Sequence, residues 1–476
     1  MKQQIRQIGE TQSVCPVCLQ TIEAVKSAEQ DGIYLEKECP QHGRFRTLIW
    51  EGNEESYLSW DMENTAVETP VLAKRMTEEC PKSCGLCEEH KRKGCCVLLE
   101  VTRRCNLNCP VCFASAGEKG SESSETAEAD RCTSAAYGDG SGSVEEACGS
   151  CHEPTLEEIR QQYVYLMEHG GPFNIQLSGG EPTMRDDLTD IIRLGREIGF
   201  TFFQLNTNGL RLAKEPDYAV QLKEAGLSTV FLQFDGVTDD VYQALRGRPL
   251  LEQKMQAIDN CRKAGIGVCL VPVIAPGVNE EQIGSIIRFA MERMPFVRGV
   301  HFQPISYFGR CGQERPEKPI TIPRILKDIE EQTNGKMKAA DFAGGGAENP
   351  YCSFHAGYQI RPDGSTKLMA KKSGGCCCNT TSDDSRKFVE DRWKLNIQTS
   401  FTETVFSETS ALDAFLQEIH QRTFTVSGML FQDAYNLDLQ RLKRCYILEM
   451  DPSFGMVPFC AYNLTDAEGK YLYRRI

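Results

Sequence analysis

Cys96-Val-Leu-Leu-Glu-Val-Thr102 runs directly into Cys105-Asn-Leu-Asn-Cys109-Pro-Val-Cys112, and Leu177-Ser178-Gly179-Gly180-Glu181-Pro182 follows further on. The first run has the apolar continuity of a buried strand. Three thiols at C-x3-C-x2-C spacing then sit on one short loop. That density suits the corners of an iron–sulfur cluster better than a single tetrahedral ion. Three ligands also leave one iron of a [4Fe–4S] cluster open to a distant thiol or a substrate. In α/β barrels the loops at the C-terminal ends of strands carry the active site, so Cys105, Cys109 and Cys112 stand in a catalytic position. Gly179 and Gly180 let a ligand approach backbone carbonyls. With Glu181 beside them the turn presents acceptors, which suits an ammonium. It lacks the lysine of a phosphate loop.

Outward from these motifs, strand-like and amphipathic runs alternate. Phe173–Leu177, Phe202–Asn206, Val230–Phe234, Gly267–Val273 and Val300–Ile305 read as strands. Leu188–Ile198, Ala219–Ala225, Glu252–Ala264 and Glu281–Met291 read as helices between them. Pro154-Thr155-Leu-Glu-Glu158 is a capping box opening a further helix. Six β/α units predict an α/β fold, a partial (β/α)6 TIM-like barrel over 96–310. Strands also end at Asn206-Thr207-Asn208-Gly209, Asp235-Gly236 and the turn carrying Asn279. Singly each is an ordinary β/α turn; together they outline a pocket beside the cluster loop. Residues 118–153 interrupt this core with nine acids against two bases, half of the net −14, and read as a mobile insertion. Its Cys148 and Cys151 read as incidental thiols. Tyr242 and Arg246 suit a carboxylate partner, with a surface helix end as the preferred reading.

The chain has 476 residues and 23 cysteines. A secreted disulfide scaffold is too short to match that length. Met1–Val14 is polar, which predicts no secretory leader, and the apolar run around Val268–Ala275 is far too short to span a bilayer. The thiols therefore point to metal chemistry in a cytoplasmic setting. Cys15, Cys18, Cys39 and His42 form two knuckles twenty residues apart, a closed four-ligand set for Zn or a mononuclear Fe over 1–60. Cys80, Cys84 and Cys87 repeat the C-x3-C-x2-C spacing within 61–95, without a preceding strand, and read as auxiliary. Region 311–476 adds Cys352, the triplet Cys376-Cys377-Cys378, Cys445 and Cys460. A net charge of −14 argues against nucleic acid as a partner.

The C-x3-C-x2-C loop after the first strand, paired with Gly179-Gly180-Glu181-Pro182 after the second, resembles the radical S-adenosylmethionine (SAM) enzymes. The flanks resemble the branch of tetraether lipid synthases and pterin C-methylating enzymes. The cysteine triplet is similar to the bacterial radical SAM (seleno)protein TrsS subgroup. The resemblance implies that Cys105, Cys109 and Cys112 hold a [4Fe–4S] cluster that cleaves SAM to a 5′-deoxyadenosyl radical, which activates an unreactive C–H bond for methylation or carbon–carbon coupling. It implies SAM contacts at Gly179, Gly180, Glu181 and Pro182, with Asn208 and Asn279 near the ribose or adenine. One or two auxiliary clusters would draw on Cys80, Cys84 and Cys87 with Cys445 as the distant fourth ligand, and on Cys352, Cys376, Cys377, Cys378 and Cys460. A small-molecule or lipid substrate and a reductant such as ferredoxin or flavodoxin complete the expectation. Val111 departs from the aromatic that many members place before the last cysteine; Phe113 is the alternative cluster shield. The rival reading is a non-catalytic iron–sulfur electron carrier or scaffold, which leaves Gly179–Pro182 without a task.

Overall fold

The computed structural model describes residues 6–61, 68–69, 79–117, 153–311, 315–369, 380–395, 419 and 421–474. Two sheets organise them. The first is an antiparallel meander of β1 (Arg6–Val14), β2 (Thr21–Ala28), β3 (Gly32–Cys39) and β4 (Gly43–Glu51).

The second sheet is built on β5 (Cys96–Thr102), β6 (Asn174–Gly179), β7 (Phe203–Thr207), β8 (Thr229–Gln233), β9 (Gly267–Val271) and, after the short β10 (Val273–Ile274), β11 (Val297–Pro304). β5, β6, β7, β8, β9 and β11 pair in parallel in that order. These are the six expected strands, shifted by a few residues. Their connecting helices, among them Leu188–Ile198, Pro216–Ala225, Leu251–Lys263 and Ile283–Met291, cover one face. Val97, Leu99, Leu177, Leu205, Val230, Val268 and Val300 form one apolar layer with those helices. The helix Leu156–Glu168 opens on the expected capping box, with the Thr155 side chain accepting from the Glu158 N–H.

The sheet does not stop at residue 310. β12 (Ser353–Ile360), β13 (Thr366–Leu368), β14 (Thr423–Met429), β15 (Ile447–Asp451) and β16 (Gly455–Pro458) extend both its edges. β14 pairs in parallel with β11, and β15 in parallel with β5. The C-terminal strands thus flank the partial barrel on both sides. The helix Ser382–Trp393 lies against the sheet, where Trp393 packs with Phe202 and Cys269.

Residues 434–438 hold the first sheet in place. Lys37 Nζ donates to Ser13 Oγ (2.9 Å) and to the Ala434 carbonyl (2.7 Å). Lys26 pairs with Asp438 at 2.7 Å, and Thr11 Oγ1 donates to the same carboxylate. Burial pulls the Lys37 ammonium down to about 7. No described helix is long and apolar enough to cross a membrane.

Candidate active site

Parallel strands put the loops after β5, β6, β7, β8 and β10 at one end of the sheet. Hydrogen bonds tie these loops into a ring. The Gly180 N–H donates to the Thr102 carbonyl and the Glu181 N–H to that of Arg104, both at 2.8 Å. Gly179 has φ +131°, and a Cβ there would lie 2.1 Å from the Thr102 oxygen. A Cβ on Gly180 would lie 2.3 Å from the Arg104 oxygen and 2.6 Å from that of Arg103. The backbone that needs these glycines is therefore the chain's own cluster loop. Gly180→Ala should push the two loops apart. The expected result is protein that folds but reconstitutes with less iron at the Cys105 loop, read as iron and sulfide content.

Glu181 is 2% exposed and its carboxylate is already engaged. It accepts from Thr183 N–H (3.1 Å) and Oγ1 (2.6 Å), from Thr207 Oγ1 (2.6 Å) and from the Asn208 N–H (2.7 Å). It fastens the loop after β6 to the loop after β7. Pro182 opens the short turn Pro182–Met184 beneath it. The Asn208 amide donates to Asn106 Oδ1 in the cluster loop at 2.7 Å. Asn279 is 1% exposed; its amide donates to the carbonyls of Asp235 (2.8 Å) and Val273 (2.7 Å) and accepts from the Ala275 N–H. Asn279 thus holds the loop after β8 against the turn after β10. The Glu181 and Asn279 side chains thus fix the loops around the site.

The three thiols of the cluster loop gather with Leu107, Tyr242, Leu250, Leu210 and Leu251. Burial, the largest influence, pushes the Cys105 thiol up to about 12. A thiolate in that position needs a cation beside it, as iron ions provide. The donor chemistry and the shielding by Tyr242 and Leu250 fit a cluster.

Tyr242 and Arg246 are not a surface helix end. Both are buried. Arg246 makes a two-pronged ion pair with Asp235, 2.7 Å on each side, and donates to the Val111 carbonyl at 2.9 Å. Helix Asp239–Arg246 thereby turns its last residue inward, against the Cys109–Cys112 segment. Tyr242 Oη donates to the Gly236 carbonyl. Three other contacts gave little warning in sequence. Arg310 Nε donates to the Cys109 carbonyl at 2.6 Å, and the Cys112 and Arg310 backbones bridge each other. Lys254 is fully buried and donates to the Asn208 carbonyl at 2.6 Å; burial lowers its ammonium to about 8. The signal for Lys254 was its place among Ala257, Ile258 and Cys261 on the buried face of one helix.

A match to the radical SAM superfamily spans residues 99–290, and one to the HMPTM N-terminal zinc ribbon domain spans 7–51. The chain is 33% identical to the 7,8-dihydro-6-hydroxymethylpterin dimethyltransferase of Methanocaldococcus jannaschii, over 95% of this chain and 93% of that protein. The chain belongs to the radical SAM superfamily. It is a radical SAM enzyme, and the cofactors of that superfamily are a [4Fe–4S] cluster and SAM. The GTP 3′,8-cyclase of Marinobacter nauticus is 29% identical over 40% of this chain and 57% of its own length. Methylornithine synthase (PylB) aligns over 51% of this chain and 63% of its own, at 14% identity and a TM-score of 0.36.

The ancillary cysteines of this radical SAM chain fall into three groups. Cys15, Cys18, Cys39 and His42 bring their ligand atoms within 4.8 Å of one another. His42 Nδ1 lies 3.5 Å from Cys15 Sγ and 3.4 Å from Cys39 Sγ. This is single-ion spacing on one compact set. Cys15→Ala should lose one bound metal and lower the thermal unfolding midpoint, with SAM cleavage surviving; metal content and calorimetry check it.

Cys80, Cys84 and Cys87 form the second group, beside Tyr473 and Lys443. Tyr473 Oη accepts from the Cys84 N–H at 2.8 Å. Cys445 was expected to complete this group; its thiol also has Cys460 and Cys352 as electrostatic neighbours. Cys352, Cys445 and Cys460 form the third group. Arg441 donates from two nitrogens to Cys352 Sγ at 3.4 Å, and the Gln432 N–H donates to Cys460 Sγ at 3.2 Å. Cys376, Cys377 and Cys378 lie outside the described residues, as do Cys148, Cys151 and all of the acidic insertion except Glu153. Glu153 is ordered and takes both prongs of Arg104 in the cluster loop, at 2.9 and 3.0 Å.

Proposed function

We propose that this enzyme methylates an unreactive carbon of a reduced pterin or a closely similar heterocycle. The observation that carries the reading is the loop ring, in which the Gly179–Glu181 turn is hydrogen-bonded to the backbone of the Cys105–Cys112 loop. A cluster held by Cys105, Cys109 and Cys112, with the fourth iron open, would face that turn. When bound, the cluster supplies one electron that cleaves the SAM sulfonium to methionine and a 5′-deoxyadenosyl radical. The chain's own part is placement. The Gly179 and Gly180 backbone receives the methionyl ammonium, Glu181 and Asn279 fix the loops, and Tyr242, Leu250 and Leu107 exclude water.

The pterin dimethyltransferase likeness over nearly the whole chain supports methyl transfer and a pterin. Cys80, Cys84 and Cys87 would hold one auxiliary cluster. Cys352, Cys445 and Cys460 would hold a second, and the front set a zinc ion. A ferredoxin or flavodoxin in an anaerobic cytoplasm would supply electrons. The test is anaerobic reconstitution with dithionite and SAM. Formation of 5′-deoxyadenosine is expected, and a methylated product when 7,8-dihydro-6-hydroxymethylpterin is added. An intact cluster that yields no 5′-deoxyadenosine would return the chain to the electron-carrier reading.

A further inference from the structure

Cys352, Cys445 and Cys460 come from separate stretches of the chain, and the segment after β14 gathers two of them. The Leu430 N–H donates to the Cys352 carbonyl at 2.8 Å. Two residues on, the Gln432 N–H donates to Cys460 Sγ at 3.2 Å. Cys460 and Cys352 are both electrostatic neighbours of Cys445. Among the described residues, one charged side chain is hydrogen-bonded to a sulfur of this group. Arg441 donates from Nε and Nη2 to Cys352 Sγ, each at 3.4 Å, and Nη2 also reaches the Leu430 carbonyl at 3.4 Å. The acids nearby are engaged elsewhere. Asp433 accepts from the Tyr307 and Tyr435 N–H groups. Glu348 accepts from Ser353 Oγ, and burial raises its carboxyl above the usual range.

Arg441 is held in that place from the first sheet. It lies on the short helix Leu439–Leu442, whose N-cap is Asp438; the Asp438 carboxylate accepts from the Gln440 N–H at 2.9 Å. Thr11 Oγ1 of β1 donates to the same oxygen at 2.7 Å, and Lys26 of β2 pairs with the other at 2.7 Å. Two residues of the ribbon domain therefore fix and neutralise the carboxylate that caps the helix carrying Arg441. Asp438 is 3% exposed. Arg441 is also among its electrostatic neighbours. Without Lys26, the guanidinium would be the cation left beside that carboxylate, and it would be drawn away from the sulfur.

We infer that Arg441 raises the reduction potential of a cluster at Cys352, Cys445 and Cys460, and that the ribbon domain keeps it on Cys352 through Asp438. The inference rests on the auxiliary cluster assigned to these thiols in the proposed function, and says what sets its potential. The donor set fits such a group: three thiols lie together, and N–H groups are aimed at two of the sulfurs, as thiolate ligands accept. Taking up one electron makes a cluster more negative by one charge. A guanidinium with two N–H groups on a ligand sulfur stabilises the reduced state more than the oxidised one. Arginine suits the place because its charge is permanent and its fork lets two N–H groups meet one sulfur; a lysine would offer a point charge without the fork.

The test is an EPR-monitored redox titration of the anaerobically reconstituted full chain. Cys352→Ala/Cys460→Ala identifies the signal, which should disappear together with about four iron per chain, while the SAM-responsive signal stays. Arg441→Met should lower the midpoint of the identified signal by about 59 mV, a tenfold change in the reduction equilibrium for one electron. Arg441→Lys should fall between it and the wild type. Lys26→Met should lower the same midpoint, and should add nothing in an Arg441→Met background, because both changes act through one contact. Circular dichroism and iron content establish that the variants fold and load; where Arg441→Met does not, Arg441→Lys carries the comparison. A midpoint unchanged or raised in the arginine variants overturns the inference while the proposed cluster stands. A Lys26→Met effect that persists in full without Arg441 overturns the link to the ribbon. If Cys352→Ala/Cys460→Ala loses neither iron nor signal, no cluster sits at these thiols, and that part of the proposed function falls as well.

Discussion

Cys105→Ala should reduce 5′-deoxyadenosine formation to the background of cluster-free protein. On the proposed reading, the three thiolates of one loop would hold three corners of the cluster, and its fourth iron would be open to SAM only while those three are in place. Cys105 is partly buried, and burial is the chief cause that raises its thiol to about 12. The Leu107 N–H already points at its sulfur at 3.4 Å, a contact that favours the thiolate. The loss should appear in two readouts together: no radical product, and no SAM-induced change in the EPR signal of the reduced cluster. Cys109→Ala and Cys112→Ala should behave alike. A Cys105→Ala protein that still cleaves SAM would place the radical chemistry at another of the cysteine groups.

Arg246→Met should be the most destabilising single change near the site. Asp235 is 0% exposed and the Arg246 side chain 4%. Removing the arginine strands a buried carboxylate, which typically costs about 3–5 kcal/mol. It also frees the Val111 carbonyl and removes positive charge that lowers the Cys109 thiol. Urea unfolding of the apoprotein measures the first effect, and iron content after reconstitution the second. The double variant Asp235→Asn/Arg246→Met should recover much of the stability, because the stranded charge is gone. It should not recover the iron content, because the bond to Val111 is still missing. Stability unchanged in Arg246→Met would contradict the buried-pair argument.

Local patterns carried most of the scaffold. The six strands, their helices and the Thr155–Glu158 box depend on apolar periodicity and short-range bonds, which a single chain displays directly. The joining of β14 and β15 to opposite edges of the sheet depends on pairing between residues more than a hundred positions apart, and no local pattern reports it. The same division runs through the site. Cys105, Cys109, Cys112 and the Gly179–Pro182 turn were legible because their chemistry needs close spacing. The employment of Glu181 was not. Its four donors come from Thr183, Thr207 and Asn208, and two of those residues belong to the next β/α unit. Arg246 looked like a solvated helix end until its partner Asp235 was placed beside it.

The strand glutamines lie between these cases. Gln176, Gln204, Gln233 and Gln303 interrupt strands that would be apolar on both faces if the interior were solid. That anomaly is visible in the chain; which neighbours those side chains meet is not, because the strands that carry them are paired only in the folded sheet. By itself, then, the sequence determined which residues can hold metal, where the radical motif sits and that the core is β/α, since each follows from spacing within a few turns of chain. The tertiary structure placed Cys352 and Cys460 as electrostatic neighbours of Cys445, which no local spacing shows. It also set the conspicuous Glu181 and Asn279 to tying the loops together, because a hydrogen-bonding group spends its capacity on whatever partner the fold brings within reach.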